Sequence, residues 1–297
     1  MNLDPAAPDL FSIPLDQDFP GFTGFIHAWL YTNGPVFLVD PGPTATIGRL
    51  AKALEALSAR PDFILLTHVH LDHSGGVGNL LRLLGPIPVI AHPKAAPHLA
   101  NPSRLWEGSV ETLGDMARAY GPPRAVDPGL VRDAFQASVP GLAVIPTPGH
   151  APHHVSYVVG PYLFAGEAAG VRLPLPGGGR LIRPATPPRF FFETSLASLR
   201  ALMAEPRDFL CYGHASLVTQ ARQDLADHEA QLAQWLETVR EVKASSPPDP
   251  VAACLERLLA EDPLLAGFPL LPPDVQGRER YFLGNSIRGF LGYLETA

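Results

Sequence analysis

Four side chains that commonly bind metal ions lie within six residues, in the segment His68-Val69-His70-Leu71-Asp72-His73. Histidine is scarce in this chain, with 11 among 297 residues, so the cluster is unusually dense. Alternate residues of an extended segment face the same side, so we expect His68 and His70 to point together. Asp72 and His73 lie where the chain leaves that segment and can point elsewhere. The spacing therefore predicts ligands for two adjacent metal ions.

Three further candidate ligands occur in turns that come directly after short apolar segments. The segment at 63–66 precedes the histidine-rich motif, and those at 142–145, 162–165 and 209–211 precede the single ligands His150, Glu167 and His214. In α/β folds, ligands gather beyond the carboxyl ends of strands, so these turns are expected to meet. A glycine stands directly before each single ligand, and Gly75 and Gly76 follow the motif, which favours tight backbone turns.

The order of predicted elements places these turns in a layered α/β fold. Asn33-Gly34 between two apolar segments predicts a β-hairpin. Residues 1–20 and 170–190 are rich in proline or glycine, and we expect them to be irregular. Strands with helices occur twice, before a tail with a helical pattern. This order predicts two α/β halves that form a sandwich over residues 1–216 and a helical extension over 217–297.

The composition is that of a globular protein, with 46% hydrophobic and 17% charged residues. The net charge of −7 and the lack of an apolar run of membrane-spanning length argue against nucleic-acid and membrane partners. The first residues lack the pattern of a targeting signal, and two distant cysteines make no disulfide framework. We therefore expect a cytoplasmic protein that acts on a small molecule.

The ligand series resembles the metallo-β-lactamase superfamily, whose hallmark is an HxHxDH motif followed by three single ligands. The resemblance covers roughly residues 20 to 220, including the turn at Asp40-Pro41-Gly42. It implies an α/β fold, a four-layered αββα sandwich, here with a C-terminal helical appendage. It also implies two metal sites. The first would be held by His68, His70 and His150, and the second by Asp72, His73 and His214.

Glu167 stands where this family normally has an aspartate that bridges the two metal ions. We expect this longer side chain to bind at least one metal ion, and to bridge both if the backbone at Gly166 retreats or the side chain folds. The alternative is that it binds only one ion and the hydroxide is the main bridge. Two divalent ions bring four positive charges, while Asp72, Glu167 and a bridging hydroxide bring three negative ones. A net positive centre therefore remains to polarise a carbonyl or phosphoryl oxygen. The metal-bound hydroxide is the expected nucleophile, and Asp72 could orient it as the catalytic residue. Imidazole ligands favour zinc, with iron or manganese as alternatives.

Several activities share this kind of ligand set. The leading hypothesis is hydrolysis of an ester, thioester or lactone, as in glyoxalase II-like enzymes and lactonases. The first alternative is a phosphodiesterase or nuclease, although the sequence has no strongly basic stripe. The second is a persulfide dioxygenase with a single iron, against which the full second ligand set argues. Diiron oxygen reductases usually have Glu at the second motif position, where this chain has His70.

Other residues near the predicted site have two interpretations each. Asp40 is expected to hydrogen-bond a ligand histidine. His153 and His154 either shape the pocket or fill the core. The arginines of the 170–190 segment either bind an anionic group of the substrate or only aid solubility; they are Arg172, Arg180, Arg183 and Arg189. A helix over 281–294 is expected to dock over the pocket or at a homodimer contact.

Overall fold

The computed structural model describes residues 5–187, 189–205, 207–214, 216–219 and 221–296. Its contacts divide the chain into two compact units. The first comprises the described residues of Met1–Val144 together with His153–Gly160, and the second comprises those of Ile145–Pro152 and Pro161–Ala297. This division separates two groups of predicted ligands. The domain boundary expected near residue 216 stays a prediction.

The first unit is built on a seven-stranded sheet in which the strands follow one another in sequence order. The strands are β1 (Pro5–Ala7), β2 (Leu10–Pro14), β3 (His27–Tyr31), β4 (Phe37–Val39), β5 (Phe63–Leu65), β6 (Val89–Ala91) and β7 (Val131–Asp133). Strands β1 to β4 are antiparallel, and β4 to β7 are parallel. The register aligns Val39 of β4 with Leu65 of β5. The carboxyl ends of these two strands therefore lie side by side, and both run directly into candidate site residues.

Six helices and a further strand complete the first unit. The helices are α1 (Ile47–Ala56), α2 (Leu71–Ser74), α3 (Val77–Leu84), α4 (Ala96–Ala100), α5 (Ser103–Leu113) and α6 (Asp115–Tyr120), with 3-10 turns at Thr44–Thr46, Pro93–Ala95 and Pro128–Leu130. Strand β8 (Leu142–Pro146) begins in this unit and ends in the second, and β9 (Val155–Val159) belongs to the first. Helix α1 has an apolar face that includes Ile47, Leu50 and Leu54, all buried, as its sequence periodicity predicts.

The second unit contains β10 (Tyr162–Gly166), β11 (Val171–Pro174), β12 (Arg180–Arg183), β13 (Phe209–Tyr212) and β14 (Leu217–Val218). Strand β13 pairs in parallel with β10 and antiparallel with β14. The parallel pairing brings the carboxyl ends of β10 and β13 together, with Gly166 opposite Tyr212 after a register shift. Candidate ligands directly follow both strands.

The described part of the second unit contains four helices, α7 (Phe192–Met203), α8 (Ala221–Ala244), α9 (Pro250–Glu261) and α10 (Pro273–Thr296), with a 3-10 turn at Phe268–Leu270. The last three pack on one another around buried side chains. The Trp235 ring of α8 lies 5.7 Å from the Phe290 ring of α10, and its indole N–H donates to Asp262 at 2.7 Å. No helix among the described residues combines the length and apolar character that a membrane crossing needs.

The expectation that residues 1–20 are irregular is wrong for part of that range. Strand β2 pairs with β3 along its whole length, with Ser12 opposite Trp29. The prolines that suggested a loop stand where a strand tolerates them, since Pro5 begins the edge strand β1 and Pro14 ends β2. Residues 1–4 of this range lie outside the described residues.

The expectation of an irregular segment at 170–190 is also wrong for its first half. Strands β11 and β12 form an antiparallel hairpin in which Leu173 pairs with Leu181, and both side chains are buried. The glycines that indicated irregular structure are confined to the connecting turn, where Gly177, Gly178 and Gly179 all have positive φ. The Asn33-Gly34 hairpin, by contrast, is confirmed by the antiparallel pairing of β3 and β4.

Candidate metal centre

The histidine motif follows β5 as an extended segment and then enters the short helix α2. The Nε2 atom of His68 lies 3.1 Å from Nδ1 of His70, which confirms that these alternate side chains point to the same side. His70 is the last extended residue before α2, with φ −61° and ψ 151°. Asp72 and His73 belong to the helix, so their direction differs from that of the first pair. Asp72 Oδ2 lies 3.5 Å from His73 Nε2.

Asp40 organises the first unit's ligands from the end of β4. Its carboxylate accepts hydrogen bonds from the Thr67 N–H at 2.8 Å, the Thr67 hydroxyl at 2.6 Å and the His73 ring at 3.0 Å. A carboxylate only accepts, so His73 must carry its proton on Nδ1, which leaves the lone pair on Nε2. The expected hydrogen bond between Asp40 and one of the candidate ligand histidines is thereby confirmed. Asp40 adopts a left-handed backbone with φ +49°, a conformation that aspartate and asparagine tolerate better than most residues other than glycine.

Through Thr67, the Asp40 carboxylate also determines which ring nitrogen of His68 carries the proton. The Thr67 hydroxyl gives its proton to Asp40, so it can only accept from the His68 Nδ1, which lies 3.0 Å away. His68 therefore directs the lone pair of its Nε2 toward His70. Both His68 and His73 are 1% exposed, so water hardly competes for these bonds. Neutral histidines with a fixed tautomer are what a metal site requires.

The motif is held against the Asp40 turn by the backbone. Gly42 donates its N–H to the His73 carbonyl at 3.0 Å, and Gly76 donates to the Gly42 carbonyl at 2.8 Å. A Cβ at Gly76 would come within 2.9 Å of that Gly42 oxygen and 2.2 Å of the Ile47 side chain. Gly76 has an ordinary φ of −84°, so it serves close packing and not the tight turn that the sequence suggested.

Two further histidines lie behind this cluster, at the start of β9. His154 is fully buried, and its ring centroid lies 5.1 Å from that of His68. The His153 ring is half-buried and lies 6.1 Å from His70 and 6.0 Å from His98. His154 therefore packs against the candidate ligand His68 in the core, whereas His153 lies beside His70 with part of its surface open to solvent.

In the second unit, His150 is oriented by a backbone carbonyl. Its Nδ1 donates to the Ala185 oxygen at 2.7 Å, which leaves the lone pair on Nε2. The preceding Gly149 donates its N–H to the Ser198 hydroxyl at 3.0 Å and accepts from the Ser195 hydroxyl at 3.1 Å. A Cβ at Gly149 would lie 2.5 Å from the Ser195 Cα, so this glycine allows the loop to rest directly on α7.

Glu167 lies between two histidines of the second unit. Its Oε2 is 2.9 Å from His150 Nε2, and its Oε1 is 3.4 Å from His214 Nε2. Gly166 before it has φ +56°, and the Gly166 carbonyl accepts the N–H of Gly213 at 2.9 Å. That hydrogen bond joins the two ligand-bearing turns at the ends of the parallel strands β10 and β13. All three ligands predicted in this unit are thus brought together.

The donor-atom spacings agree with those of a metal site. Two ligands bound to zinc at about 2.1 Å in tetrahedral geometry lie about 3.4 Å apart. The observed spacings are 3.1 Å for His68 and His70, 2.9 Å for His150 and Glu167, and 3.4 Å for Glu167 and His214. The Nε2 lone pairs of His68 and His150 border the first two of these gaps, and the Glu167 carboxylate borders the third, so the residues present fit a divalent metal ion.

Three of the four arginines proposed for an anionic substrate are used in ion pairs. Arg172 Nε and Arg180 Nε each lie 2.9 Å from an oxygen of Asp224, which is buried in α8. Arg183 pairs with Glu279, which is buried in α10. These arginines attach the β11–β12 hairpin to the C-terminal helices, a role that neither sequence interpretation foresaw.

The residues after the hairpin divide between the core and the surface. Arg189 is exposed, as is Phe191 at 59%. Phe190 is buried, with its ring centroid 4.5 Å from that of Phe290 in α10. Helix α10 therefore docks on its own chain. A homodimer contact stays a prediction.

The sequence analysis missed His228 of α8, which lines a small cavity together with His150 and Glu167. The cavity measures about 20 Å³, which is room for about one water molecule. His228 Nδ1 and Gln231 Oε1 are 2.8 Å apart, and the Gln231 amide donates to Asp262, so the amide oxygen accepts the imidazole proton. Burial lowers the pKa of His228 to about 4, so its ring is neutral. His228 lies 14 residues beyond His214, within a segment of helical pattern, so the sequence did not mark it as part of the site.

Known proteins resemble this chain over the region that contains the candidate metal ligands. The family model described as Metallo-beta-lactamase superfamily matches residues 21–214. A hydroxyacylglutathione hydrolase from Yersinia pestis is 30% identical over 243 residues, covering 76% of this chain and 77% of that protein. One from Citrobacter koseri is 28% identical over 248 residues, covering 80% and 79%.

Among solved structures, an archaeal metallo-beta-lactamase superfamily protein from Sulfolobus tokodaii superposes with a TM-score of 0.67 at 23% identity, covering 95% of this chain and 98% of that one. This likeness confirms the predicted α/β fold class, with mixed sheets and C-terminal helices. The family match extends over more than half of the chain and includes every predicted ligand. The chain therefore belongs to the metallo-beta-lactamase superfamily and is a metal-dependent hydrolase.

Proposed function

We propose that this hydrolase binds two divalent metal ions, zinc by preference, and cleaves an ester, thioester or lactone. The ligands of the first ion are His68, His70 and His150, and those of the second are Asp72, His73 and His214. Glu167 bridges the two ions. Family membership supports this assignment, as do the groups of His, Asp and Glu side chains suited to metal binding.

The observation that carries the proposal is the position of Glu167 between two histidines. One carboxylate oxygen is 2.9 Å from His150 and the other is 3.4 Å from His214, which are ligands of different ions in the proposed assignment. A carboxylate whose two oxygens face separate ligands is placed to bridge. The left-handed backbone at Gly166, with φ +56°, is where we expect the extra methylene of Glu to be accommodated.

When bound, the two ions supply a Lewis acid for the scissile carbonyl and a water acidified toward a pKa of about 7. The chain's own residues prepare the site for them. Asp40 and Thr67 accept hydrogen bonds from the Nδ1 atoms of His73 and His68, and the Ala185 carbonyl accepts one from His150, so that Nε2 of each ring is the nitrogen proposed to bind metal. The Asp72 side chain is 17% exposed, so its carboxylate can orient an attacking water.

A thioester is the favoured substrate class. The relatives that match over three quarters of the chain are named hydroxyacylglutathione hydrolases, and an acyl group on the sulfur of glutathione is a thioester. The hairpin arginines are engaged by Asp224 and Glu279, so an anionic substrate group must be met elsewhere. We propose that the reaction takes place in the cytoplasm and that its substrate is a small molecule. The net charge of −7 argues against a nucleic-acid partner.

The test combines metal analysis with a substrate panel. Protein loaded with zinc, iron or manganese should retain close to two ions per chain and hydrolyse an S-acyl glutathione faster than an aryl phosphodiester. One ion or none would contradict the dinuclear assignment. Faster cleavage of the phosphodiester would contradict the substrate class, and oxygen consumption with a persulfide would move the protein to the dioxygenases.

Variants of Glu167 test the bridge directly. Glu167→Ala should lose metal and activity, because this carboxylate is the side chain proposed to contact both ions. Glu205→Gln, a change to an exposed side chain, is the matched control. His73→Ala and His214→Ala should each lower the metal content toward one ion and strongly reduce turnover. If Glu167→Ala keeps wild-type metal content and activity, Glu167 is not a ligand.

A further inference from the structure

The carbonyl that orients His150 belongs to a segment without regular structure. Residues 184–187 follow strand β12 and form neither helix nor strand. The Ala185 oxygen accepts the His150 Nδ1–H at 2.7 Å, and this bond decides which nitrogen of His150 keeps its lone pair. A carbonyl in an irregular segment directs a ligand only if something else holds the segment in place.

Helix α10 holds the residues on both sides of Ala185. The Ser286 hydroxyl donates to the Pro184 carbonyl at 3.0 Å, and the Ser286 carbonyl accepts the Thr186 hydroxyl at 3.1 Å. Ser286 is 2% exposed and Thr186 is 9% exposed. A single helical residue thus fixes the peptide before and the residue after the carbonyl that contacts the ligand.

Two further contacts attach the ends of the segment to the same helix. At one end, Arg183 and Arg278 both pair with Glu279 in a buried cluster. Burial by itself raises the pKa of Glu279, but the two guanidinium groups outweigh it, and the pKa is lowered. At the other end, a Cβ at Gly289 would lie 2.5 Å from the Pro187 carbonyl, so helix and segment are in direct backbone contact.

We propose that α10 is a positioning element for the metal ligand His150, with Ser286 and Thr186 as the positioning residues. The C-terminal helices thereby serve the metal site through the backbone, without contributing a ligand. This inference rests on the proposed function in assigning His150 to a metal ion. The hydrogen-bond series from Ser286 through the 184–186 segment to His150 does not depend on the substrate.

The test measures Zn²⁺ affinity of metal-free protein by competition with a chromophoric chelator. Ser286→Ala and Thr186→Val should each weaken the site that contains His150, and the double variant should weaken it by about tenfold, the lower end of the range for outer partners of metal ligands. Thr186→Ser keeps the hydroxyl and should keep wild-type affinity. Asn285→Ala is the matched control, because it removes only a hydrogen bond to Arg288 on the same helix.

A second measurement separates positioning from general stability. In ¹⁵N-histidine NMR spectra of metal-free protein, the His150 Nδ1–H signal, assigned by its loss in His150→Ala, should exchange faster or shift in the double variant. Unchanged zinc affinity and an unchanged signal, with or without a lower melting temperature, would overturn the proposal. If the wild type takes up no zinc, the proposed function fails instead, while the NMR comparison still decides whether α10 orients His150.

Discussion

Replacing Asp40 with asparagine keeps the size of the side chain, removes one buried negative charge and turns one hydrogen-bond acceptor into a donor. Asp40 is 3% exposed, and its Oδ2 accepts from both the Thr67 hydroxyl and His73, while Oδ1 accepts the Thr67 N–H. Asparagine keeps its oxygen for the backbone N–H, so its amide NH₂ takes the place of Oδ2. Asparagine also tolerates the left-handed φ of +49°, so the backbone need not move.

The new donor faces the proton on His73 Nδ1. His73 can avoid this conflict by moving its proton to Nε2, the nitrogen that lies 3.5 Å from the Asp72 carboxylate. A protonated Nε2 cannot bind a metal ion. We expect the Zn²⁺ affinity of the second site to fall about 10- to 100-fold, which corresponds to about 1.4–2.8 kcal/mol. The first site should change less, because His68 reaches Asp40 only through Thr67.

Competition titration of the metal-free variant with a chromophoric chelator resolves the two sites. Asp62→Asn is the control, since Asp62 is an exposed carboxylate that accepts the backbone N–H of Val36 at 2.8 Å. Wild-type affinity at both sites in Asp40→Asn would refute the tautomer argument. An equal loss at both sites would show that Asp40 acts on the whole cluster and not through His73.

Three other substitutions have distinct expected results. Thr67→Val removes the acceptor of the His68 Nδ1–H and should weaken the first site by about tenfold in the same titration. His228 has a folded pKa of about 4, below the unfolded value of about 6.5, so its contribution to stability is complete above pH 6.5 and is lost as the pH falls through 4. The free energy of unfolding in urea should therefore vary less with pH across this window in metal-free His228→Gln than in the wild type, by up to about 3 kcal/mol. Parallel pH profiles of the two proteins would contradict the lowered pKa of His228. Asp224→Ala leaves two hairpin arginines without their buried partner, and it should lower the free energy of unfolding by about 3 kcal/mol. A loss below about 1 kcal/mol, the value of an exposed ion pair, would show that other contacts hold the hairpin.

The ligand positions were accessible from the sequence because each one is a side chain with a local signal. Two histidines at alternate positions indicate that their side chains point the same way. An apolar strand just before a single ligand indicates where along the chain that ligand lies. Asp40 could be found for the same reason, since it follows strand β4 directly. Whether the seven ligands assemble around two ions stays a prediction, although each unit brings its own ligands together.

The supports that the sequence analysis missed have no such local signal. Ala185 acts through its carbonyl, which every residue possesses, and Ser286 lies about 100 residues beyond the segment that it holds. The glycine and proline content of the 170–190 segment also led to a wrong prediction of irregular structure. The three glycines of the hairpin turn concealed two strands, although each strand pairs regularly on either side of them.

The long sequence separation between Ser286 and the Ala185 segment has a consequence for biosynthesis. A ribosome adds about 5–20 residues per second, so helix α10 emerges about 5–20 s after the segment that it holds, given a separation of 100 to 102 residues. Once His214 has been added, the nascent chain contains every proposed ligand, but until α10 emerges His150 lacks the support that fixes its proton. Tight metal uptake should therefore follow completion of α10, and a nascent chain stalled before residue 273 should bind zinc more weakly than the released protein.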